Sequence, residues 1–223
     1  MEAEYIHWSL PGSEEDVHLN ENGDWRKLLI PIRYCTHSLG PLLSIVEEDL
    51  RKVSCFGTGQ HADPSEYGDV KTNDMMCAQF QTESGIVIRF MRNKRCRADI
   101  GCHTYRVFGT EGYMEKTERF SKNVIRYNSM RELDTSLKEV NGERMPPAYE
   151  NNPKAKVGHG GIDYAMLDNF FKVLAGEKGE VINLRDGLRM TLPGIYAEES
   201  AKRGGEVLTM YYPWDEEWST EIK

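Results

Sequence analysis

Two short segments of this 223-residue chain combine tyrosine with histidine, the side chains best suited to move protons near neutral pH. The first is EYIH, with Tyr5 and His7, and the second is YCTH, with Tyr34 and His37. A phenol and an imidazole can both donate and accept protons. Either pair alone is more often a surface or capping feature than a catalytic one. Two such pairs facing one site would supply general acid–base chemistry.

Each pair has an expected element to hold it. Apolar and polar residues alternate over residues 1–9, which predicts a strand with both members of the first pair on the same side. After the second pair we expect a helix that is capped by Thr36 or Ser38 and has Pro41 in its first turn. An apolar stripe at helical spacing predicts that this helix docks on a core. The stripe consists of Leu39, Leu42, Leu43 and Val46.

Apolar runs separated by glycine-containing turns predict a meander of antiparallel strands in the middle of the chain. The expected strands span residues 51–57, 75–82, 86–91, 100–109, 113–117 and 123–129. We expect amphipathic helices at 162–176 and 183–203, with a linker at 136–157 before them. A run of basic residues is expected to lie in solvent at a hairpin end. These residues are Arg89, Arg92, Lys94, Arg95 and Arg97.

A third polar segment, VGHGGID, precedes the helix expected at 162–176. It places His159, Gly160, Gly161 and Asp163 where the free N–H groups of a helix start could bind a hydroxyl group or an anion. The two glycines would let a ligand approach the backbone closely. A plain loop with a helix cap explains the same residues equally well. The segment is not the GxGxxG fingerprint of dinucleotide binding.

Composition and charge narrow the classes of partner. With 28 Lys and Arg against 36 Asp and Glu, the net charge of −8 argues against a nucleic-acid partner. No apolar run approaches the roughly 20 residues that span a bilayer, so we expect no membrane partner. The first residues lack a signal peptide, which predicts a cytoplasmic protein, although a longer parent chain could carry a signal. Five scattered cysteines without a CxxC indicate reduced thiols and no zinc site.

The segment DWRKLLIPIRYCTHSLGPLL resembles part of the substrate domain of the Gfo/Idh/MocA oxidoreductase family. The version it resembles is carried by NAD-dependent glycosidases of glycoside hydrolase family 109. EYIH is similar to the first strand of that domain, RVFGTEGYMEK to a sheet hairpin, and RDGLRMTLPGIYAEESAKRGGEV to the closing helix. The resemblance runs from Tyr5 through Gly205. Most dehydrogenases of the family have an Asp four residues before the helix-entrance His, where this chain has Arg33.

The resemblance implies an α+β fold of two layers, an open-faced and mostly antiparallel sheet with helices packed on one face. In the family the other sheet face often forms a subunit interface, which implies a homo-oligomer. A full member also has an N-terminal Rossmann domain that holds most of the NAD. Its glycine-rich turn and its Lys-bearing EKP segment are absent from these residues. We therefore expect residues 1–223 to form a single C-terminal substrate domain that is inactive alone.

For the glycosidase-like members, the resemblance implies transient oxidation of a sugar at C3 by NAD and elimination of the glycosidic leaving group. By positional match, the implied catalytic residues are Tyr5, His7, Tyr34 and His37. The implied substrate-binding residues are Arg33, Thr36, His159, Gly160, Gly161 and Asp163. No residue is implied to bind a metal, and a sugar or glycoside is the expected partner. The remaining alternatives are a simple sugar or cyclitol dehydrogenase and a non-catalytic sugar-binding or scaffold domain.

Overall fold

The computed structural model describes residues 1–7, 29–62, 72–95, 103–119, 122–142, 149, 151–156, 161–179 and 181–222. Nine strands within these ranges form one sheet. They are β1 (Glu2–Ile6), β2 (Leu50–Gly57), β3 (Met75–Thr82), β4 (Val87–Asn93), β5 (His103–Gly109), β6 (Gly112–Arg119), β7 (Lys122–Ser129), β8 (Lys138–Asn141) and β9 (Leu208–Thr209). Their spatial order is β8-β7-β6-β5-β1-β4-β3-β2-β9. The central strand β1 runs parallel to β4 and antiparallel to β5.

Helical segments cover one face of this sheet. The α-helices of the described chain are α1 (Thr36–Leu43), α2 (Ile162–Leu174) and α3 (Leu184–Lys202), and its 3₁₀ turns are Pro31–Arg33 and Pro153–Lys156. The first 3₁₀ turn, α1 and α3 pack together against the central strands and share one apolar core with them. The predicted α+β fold, with a mostly antiparallel open sheet and helices on one face, is confirmed.

The core follows from the alternation of side chains along the strands. Ala78 and Phe80 on β3 and Ile88 and Phe90 on β4 are all fully buried, while their sequence neighbours face the other side of the sheet. These side chains meet Leu39 of α1, which is also fully buried. Complete burial of one large apolar side chain, such as Phe or Ile, stabilises the folded state by roughly 1.5–3 kcal/mol relative to exposure of that side chain. The apolar alternation therefore fixes which sheet face carries the helices.

The structure extends the expected strands and adds others. The hairpin strand β3 has its predicted bounds, while β4 continues beyond the predicted residue 91 to Asn93. Strand β8 lies inside the segment expected to be a linker. The C-terminal segment pairs β9 with β2, as expected of a short strand after the closing helix, and it buries Met210 and Tyr212 completely. The indole of Trp214 then donates a 2.8 Å hydrogen bond to Asp49. This segment therefore covers an edge of the sheet.

The prediction that the basic run lies in solvent is wrong for three of its members. Arg92, Lys94 and Arg95 are buried, with exposed fractions of 5%, 7% and 3%. The register explains the error for Arg92, because it occupies the helix-covered face of β4, in line with Ile88 and Phe90. Arg89 lies on the opposite face, half-buried, and Arg97 is outside the described residues.

The expected amphipathic helices differ in what their apolar faces contact. Asn183 caps α3 by accepting a hydrogen bond from the Asp186 N–H at 2.9 Å, close to the predicted start. Helix α2 packs on the second 3₁₀ turn and contributes Ala165 to a separate small core. Its predicted apolar stripe stays exposed, with Met166 at 60% and Phe170 at 48%. Within the described ranges, every helix is too short or too polar to cross a bilayer.

Candidate active site

Three neighbouring strands carry one row of functional side chains on the helix-covered face of the sheet. Tyr5 on β1 is directly paired with Arg92 on β4 and with His103 on β5. Directly paired residues project to the same face, so the three side chains point toward the helices. One position away along β1 the small side chain of Ala3 is flanked by Phe90 and Tyr105 in the same manner. The side chains of Arg92, Tyr5 and His103 therefore lie side by side on the sheet face that the first turn of α1 covers.

Close packing of α3 holds the segment that carries Tyr34 and His37. The 3₁₀ turn before Tyr34 contacts α3 around Gly194. A Cβ atom at Gly194 would lie 2.8 Å from the Cys35 sulfur and 2.9 Å from the Ile32 carbonyl oxygen, so only glycine fits there. The Cys35 thiol in turn donates a 3.2 Å hydrogen bond to the Met190 carbonyl. Burial raises the pKa of Cys35 to about 12, which keeps this thiol protonated.

The four tyrosine and histidine residues singled out in the sequence come together in space. The ring centroid of Tyr5 lies 5.7 Å from that of His7, 5.8 Å from that of Tyr34 and 5.9 Å from that of His37. The Nε2 atom of His37 and the hydroxyl oxygen of Tyr34 are 3.0 Å apart, a hydrogen bond whose direction depends on the imidazole tautomer. We call Tyr5, His7, Tyr34 and His37 the aromatic cluster. Their catalytic roles stay a prediction.

A buried guanidinium group supports the cluster from the sheet side. The Arg92 guanidinium carbon lies 4.0 Å from the centroid of the Tyr5 ring and 5.7 Å from that of the Tyr34 ring. The same side chain donates hydrogen bonds to the carbonyl oxygens of Tyr5 at 3.2 Å and His7 at 3.3 Å. Cation–π and charge-assisted contacts of this kind fix both the rings and the backbone that carries them. Arg92 therefore acts as a clamp on the end of β1.

The predicted helix cap at the entrance of α1 is wrong. Neither Thr36 nor Ser38 precedes the helix, because Cys35 is its N-terminal flanking residue and no side chain caps it. Cys35 already has near-helical dihedral angles, φ −97° and ψ −14°, since the preceding 3₁₀ turn leads directly into α1. Side-chain capping requires an extended residue at this position. Pro41 is likewise inside the helix, beyond the first turn in which the sequence predicts it.

This interior proline has a local consequence at His37. In an α-helix the carbonyl of residue 37 accepts its bond from the N–H of residue 41, and proline has none. The phenol of Tyr105 donates a 2.6 Å hydrogen bond to that carbonyl instead. Burial, and to a smaller extent the neighbouring Tyr5, raise the pKa of Tyr105 to about 12, so its proton is retained at neutral pH. Tyr105 is thus an anchor for the histidine end of the cluster.

A cleft of about 710 Å³ opens beside the cluster between α1 and the start of α3. Thr36 and His37 line one end of it, and Pro41, Met190 and Asp186 line the remainder with neighbouring residues. Small-molecule sites typically have volumes of about 300–1,000 Å³ and combine apolar walls with a few polar groups. The cleft therefore offers ligand-sized space next to the cluster, and of the four cluster residues His37 is the one among its lining residues.

The other expected substrate-binding residues are not all near the cluster. The guanidinium of Arg33 forms an ion pair with the buried carboxylate of Glu198 on α3. Gly161, at φ 93°, and Asp163 begin helix α2, which packs on the small core. His159 and Gly160 lie outside the described residues. Roles for these residues in sugar binding stay predictions.

Sequence reasoning missed three residues of this region: Arg92, His103 and Tyr105. His103 is the nearest of the described aromatic neighbours of Tyr5, with ring centroids 4.2 Å apart, and it lies 5.8 Å from the His37 ring. Its only sequence signal is alternation with Tyr105, two residues later on the same strand. The pairing of β5 with β1 places both near the cluster, and a single sequence does not reveal that register.

The arrangement can carry out proton transfer on an uncharged ligand. The phenol and imidazole rings of the cluster lie within 6 Å of Tyr5, and a hydrogen-bonded tyrosine–histidine pair can remove a proton and return it. Polar aromatic rings also stack on and hydrogen-bond to hydroxyl-bearing ligands. Within the described residues no group of three or more His, Cys, Asp or Glu side chains could hold a metal ion.

No protein-family model matches the sequence, and a search of curated proteins also found no match. Solved structures do resemble this fold. An NAD-binding oxidoreductase from Klebsiella pneumoniae is 15% identical, with 95% of this chain and 58% of that chain covered at a TM-score of 0.69. Levoglucosan dehydrogenase in complex with NADH and L-sorbose is also 15% identical, with coverages of 94% and 58% and a TM-score of 0.68.

A more distant similarity is to UDP-N-acetylglucosamine 3-dehydrogenase from Acidithiobacillus ferrooxidans, which is 13% identical. The alignment covers 91% of this chain and 55% of that chain at a TM-score of 0.58. At these identities the comparison concerns the fold. This chain, which spans a little over half the length of the proteins it matches, thus has a fold found within NAD-binding oxidoreductases.

Proposed function

We propose that this chain is the substrate-binding and catalytic half of an NAD-dependent enzyme that cleaves a glycoside by transient oxidation at C3. The observation that carries the proposal is the convergence of Tyr5, His7, Tyr34 and His37 on one space beside a ligand-sized cleft. The similarity to sugar oxidoreductases supports the class of substrate, since the similar structures include a levoglucosan and a nucleotide-sugar dehydrogenase.

The proposed chemistry requires acids and bases more than a strong nucleophile. Bound NAD would accept a hydride from C3 while the C3 hydroxyl gives its proton to a base, and the resulting ketone would make the neighbouring C2 hydrogen acidic. A base then removes the C2 proton, and the glycosidic oxygen takes up a proton and leaves from C1. Water adds at C1 and C2 regains a proton, after which return of the hydride to C3 and of a proton to its oxygen would restore the dinucleotide. The hydrogen-bonded Tyr34 and His37 are suited to the C2 proton, and Arg92 holds Tyr5 and His7 beside them.

The dinucleotide itself would be held mainly by a separate Rossmann domain of a longer parent protein. This chain has no glycine-rich phosphate turn, and its described strands form a mostly antiparallel sheet instead of the parallel strand–helix alternation of a Rossmann fold. The exposed apolar face of α2 supports the presence of a further domain, since uncovered patches of this kind mark contact surfaces. Calorimetric titration of the isolated chain with NAD should accordingly give no measurable binding, whereas the parent protein should bind it.

A simple sugar dehydrogenase is the second candidate, because the similar structures include dehydrogenases. It is disfavoured by Arg33, which replaces the Asp found at this position in most dehydrogenases of the resembled family. The Arg33 side chain is engaged by Glu198, so this position supplies no carboxylate beside His37. A non-catalytic sugar-binding domain is the third alternative, and the parent reading frame would exclude it by containing the dinucleotide-binding half.

Incubation of the parent protein with NAD and aryl glycosides distinguishes the first two functions. Our proposal predicts release of the aryl alcohol without net accumulation of NADH, because each hydride removed from C3 is returned. NADH formed in proportion to consumed sugar, without release of the aryl alcohol, would identify a dehydrogenase instead. The control variant is His61→Gln, which changes a histidine that contacts the Thr58 carbonyl in a surface loop. It should give the same products as the wild type.

We also propose that the protein forms a homo-oligomer through the sheet face opposite the helices. That face carries a row of alternating charges at directly paired positions: Glu139, Arg126, Glu115, Arg106, Glu2 and Arg89. Such a row is complementary to itself, because a two-fold axis that reverses the order of the strands in a second copy opposes each acid to a base. Within one chain the row is already ion-paired, for example between Arg106 and Glu2 at 2.7 Å.

Sedimentation of Arg106→Glu and of Arg131→Glu tests this interface. Arg131 lies in the exposed turn after β7, outside the row. Arg131→Glu is therefore the matched control, because it makes the same change of charge away from the proposed interface. We expect the wild type and Arg131→Glu to form dimers or larger assemblies and Arg106→Glu to dissociate. A monomeric wild type, or an Arg106→Glu variant that assembles normally, would contradict the proposal.

A further inference from the structure

His103 places a further imidazole next to the aromatic cluster. The reaction proposed above assigns this imidazole no role. It lies opposite Tyr5 in the β1–β5 register, and the two rings are 4.2 Å apart at an angle of 30°. On its own strand it stacks at 8° with the ring of Tyr105, at a centroid distance of 6.3 Å. His103 therefore lies against the face of the Tyr5 ring and is half-buried. An aromatic face at this distance attracts a cation such as a protonated imidazole.

His37 approaches the same space from the helix side. Its ring lies 5.8 Å from that of His103, at an angle of 62°, and both rings contact Tyr5. His37 is exposed and hydrogen-bonds to the Tyr34 hydroxyl. Two imidazoles at this separation repel each other when both are charged, so protonation of one ring disfavours protonation of the other. A pair that holds a single proton has one ring as the acid and the other as the base.

The charged and titratable groups around the pair come from every neighbouring element. Arg92 on β4 lies over the Tyr5 ring, and Lys116 on β6 lies 5.6 Å from the centroid of the Tyr105 ring. Both cations add to the cost of a doubly protonated pair. The phenols of Tyr5, Tyr34 and Tyr105 and the imidazole of His7 also lie near the pair.

We propose that His103 is a catalytic acid that works with His37 as base, with both imidazoles next to Tyr5 and 5.8 Å apart. This assignment rests on the proposed glycoside cleavage. In the elimination step neutral His37 takes the C2 proton, the C2–H and C1–O bonds break, and a C1–C2 double bond forms. Protonated His103 gives its proton to the departing oxygen. Addition of water reverses both transfers: His103 takes a proton from water as its oxygen bonds to C1, and His37 returns a proton to C2.

Nuclear magnetic resonance of this chain tests the coupling of the pair without any assumption about the substrate. The imidazole signals of wild type, His103→Gln and His61→Gln are titrated between about pH 4 and pH 9. Because His37 is the member that stays neutral while His103 holds the proton, we expect the apparent pKa of His37 to rise by about one unit or more in His103→Gln and to stay unchanged in His61→Gln. An unchanged His37 titration in both variants would overturn the paired assignment.

Kinetics of the parent protein with NAD test the acid role. A departing alkyl alcohol needs a proton more than a nitrophenol does, so removal of the acid should discriminate between them. We expect His103→Gln to slow cleavage of a methyl glycoside by about 100-fold or more, and cleavage of the nitrophenyl glycoside by less than about 10-fold. Equal losses for both substrates would overturn the acid role. If the wild type cleaves neither glycoside, the glycosidase proposal fails together with the acid role, while the titration still decides whether the imidazoles are coupled.

Discussion

Tyr105 and His37 are joined by a 2.6 Å hydrogen bond from the phenol to the main-chain carbonyl, at the point where Pro41 removes the usual helical donor. The bond ties the central sheet to the entrance of α1. A carbonyl that loses a hydrogen-bond donor in a partly buried position costs the folded state free energy. The position of the His37 imidazole therefore depends on a residue far away in the sequence.

A double-mutant cycle measures this relationship. Tyr105→Phe should lower the free energy of unfolding by about 1–3 kcal/mol, because the His37 carbonyl loses its donor. In the Pro41→Ala background the N–H of residue 41 can bond that carbonyl, so Tyr105→Phe should then cost measurably less. Denaturant unfolding of the wild type, the two single variants and the double variant gives the coupling free energy between Pro41 and Tyr105. Identical costs of Tyr105→Phe in both backgrounds would show that Pro41 and Tyr105 are independent.

Two glycines of α3 should respond to alanine in opposite directions. Alanine normally stabilises a helix interior relative to glycine by about 0.5–1 kcal/mol. At Gly187 the added Cβ meets no atom within 4 Å, so Gly187→Ala should raise the melting temperature. At Gly194 the Cβ would overlap the Cys35 sulfur and the backbone of the 3₁₀ turn, so Gly194→Ala should destabilise the protein by about 1–3 kcal/mol. Thermal unfolding that ranks the two variants in the reverse order would contradict the packing described here.

The buried thiol of Cys35 should make stability fall at alkaline pH. Its pKa is raised to about 12 in the folded protein from an ordinary value of 9.0, because burial disfavours the thiolate. The folded state therefore binds the proton more tightly, so this contribution is complete below pH 9 and is lost as pH rises toward 12. Between pH 9 and pH 12 the free energy of unfolding should fall with rising pH less steeply in Cys35→Ala than in the wild type. The expected difference in slope is about 1.4 kcal/mol per pH unit. Equal slopes for wild type and variant would show that the thiol does not contribute.

The sequence predicts the fold and the four residues of the aromatic cluster, but not the residues that surround them, and the reasons are local in each case. Period-two alternation along β1 places Tyr5 and His7 on one face, and the apolar stripe of α1 predicts that His37 lies at a docked helix entrance. Arg92 is the instructive failure, because a run of basic residues normally lies in solvent. Here the β1–β4 register places Arg92 under the Tyr5 ring, where hydrogen bonds and the aromatic face offset its burial.

His103 and Tyr105 remain unpredicted for a related reason. Their proximity to the cluster follows from long-range pairing of β5 with β1, which the local pattern of a single sequence does not encode. The exposed stripe of α2 has a different cause. A periodic pattern predicts that a helix has an apolar face, but it does not state what covers that face.

Removal of the tyrosine–histidine pair should abolish turnover while leaving the fold intact. Tyr34→Phe and His37→Ala each remove a proton-transferring group at a helix entrance, outside the fully buried core. We expect losses of about 100-fold or more in kcat of the parent protein, with melting temperatures close to that of wild type. Wild-type turnover in both variants would exclude the pair from the mechanism, and a collapse of stability would indicate a structural role instead.

Hydrogen exchange at C2 of the sugar tests the central claim most directly. The parent protein is given NAD and a nitrophenyl glycoside in deuterated water, and the released sugar is analysed by mass spectrometry and nuclear magnetic resonance. Oxidation at C3 followed by elimination predicts one solvent deuterium at C2 in every product molecule, no accumulated NADH, and loss of this product in His37→Ala. A released sugar that retains its original C2 hydrogen would contradict the account, because the exposed imidazole of His37 would exchange a proton taken from C2 with the deuterated solvent before returning it.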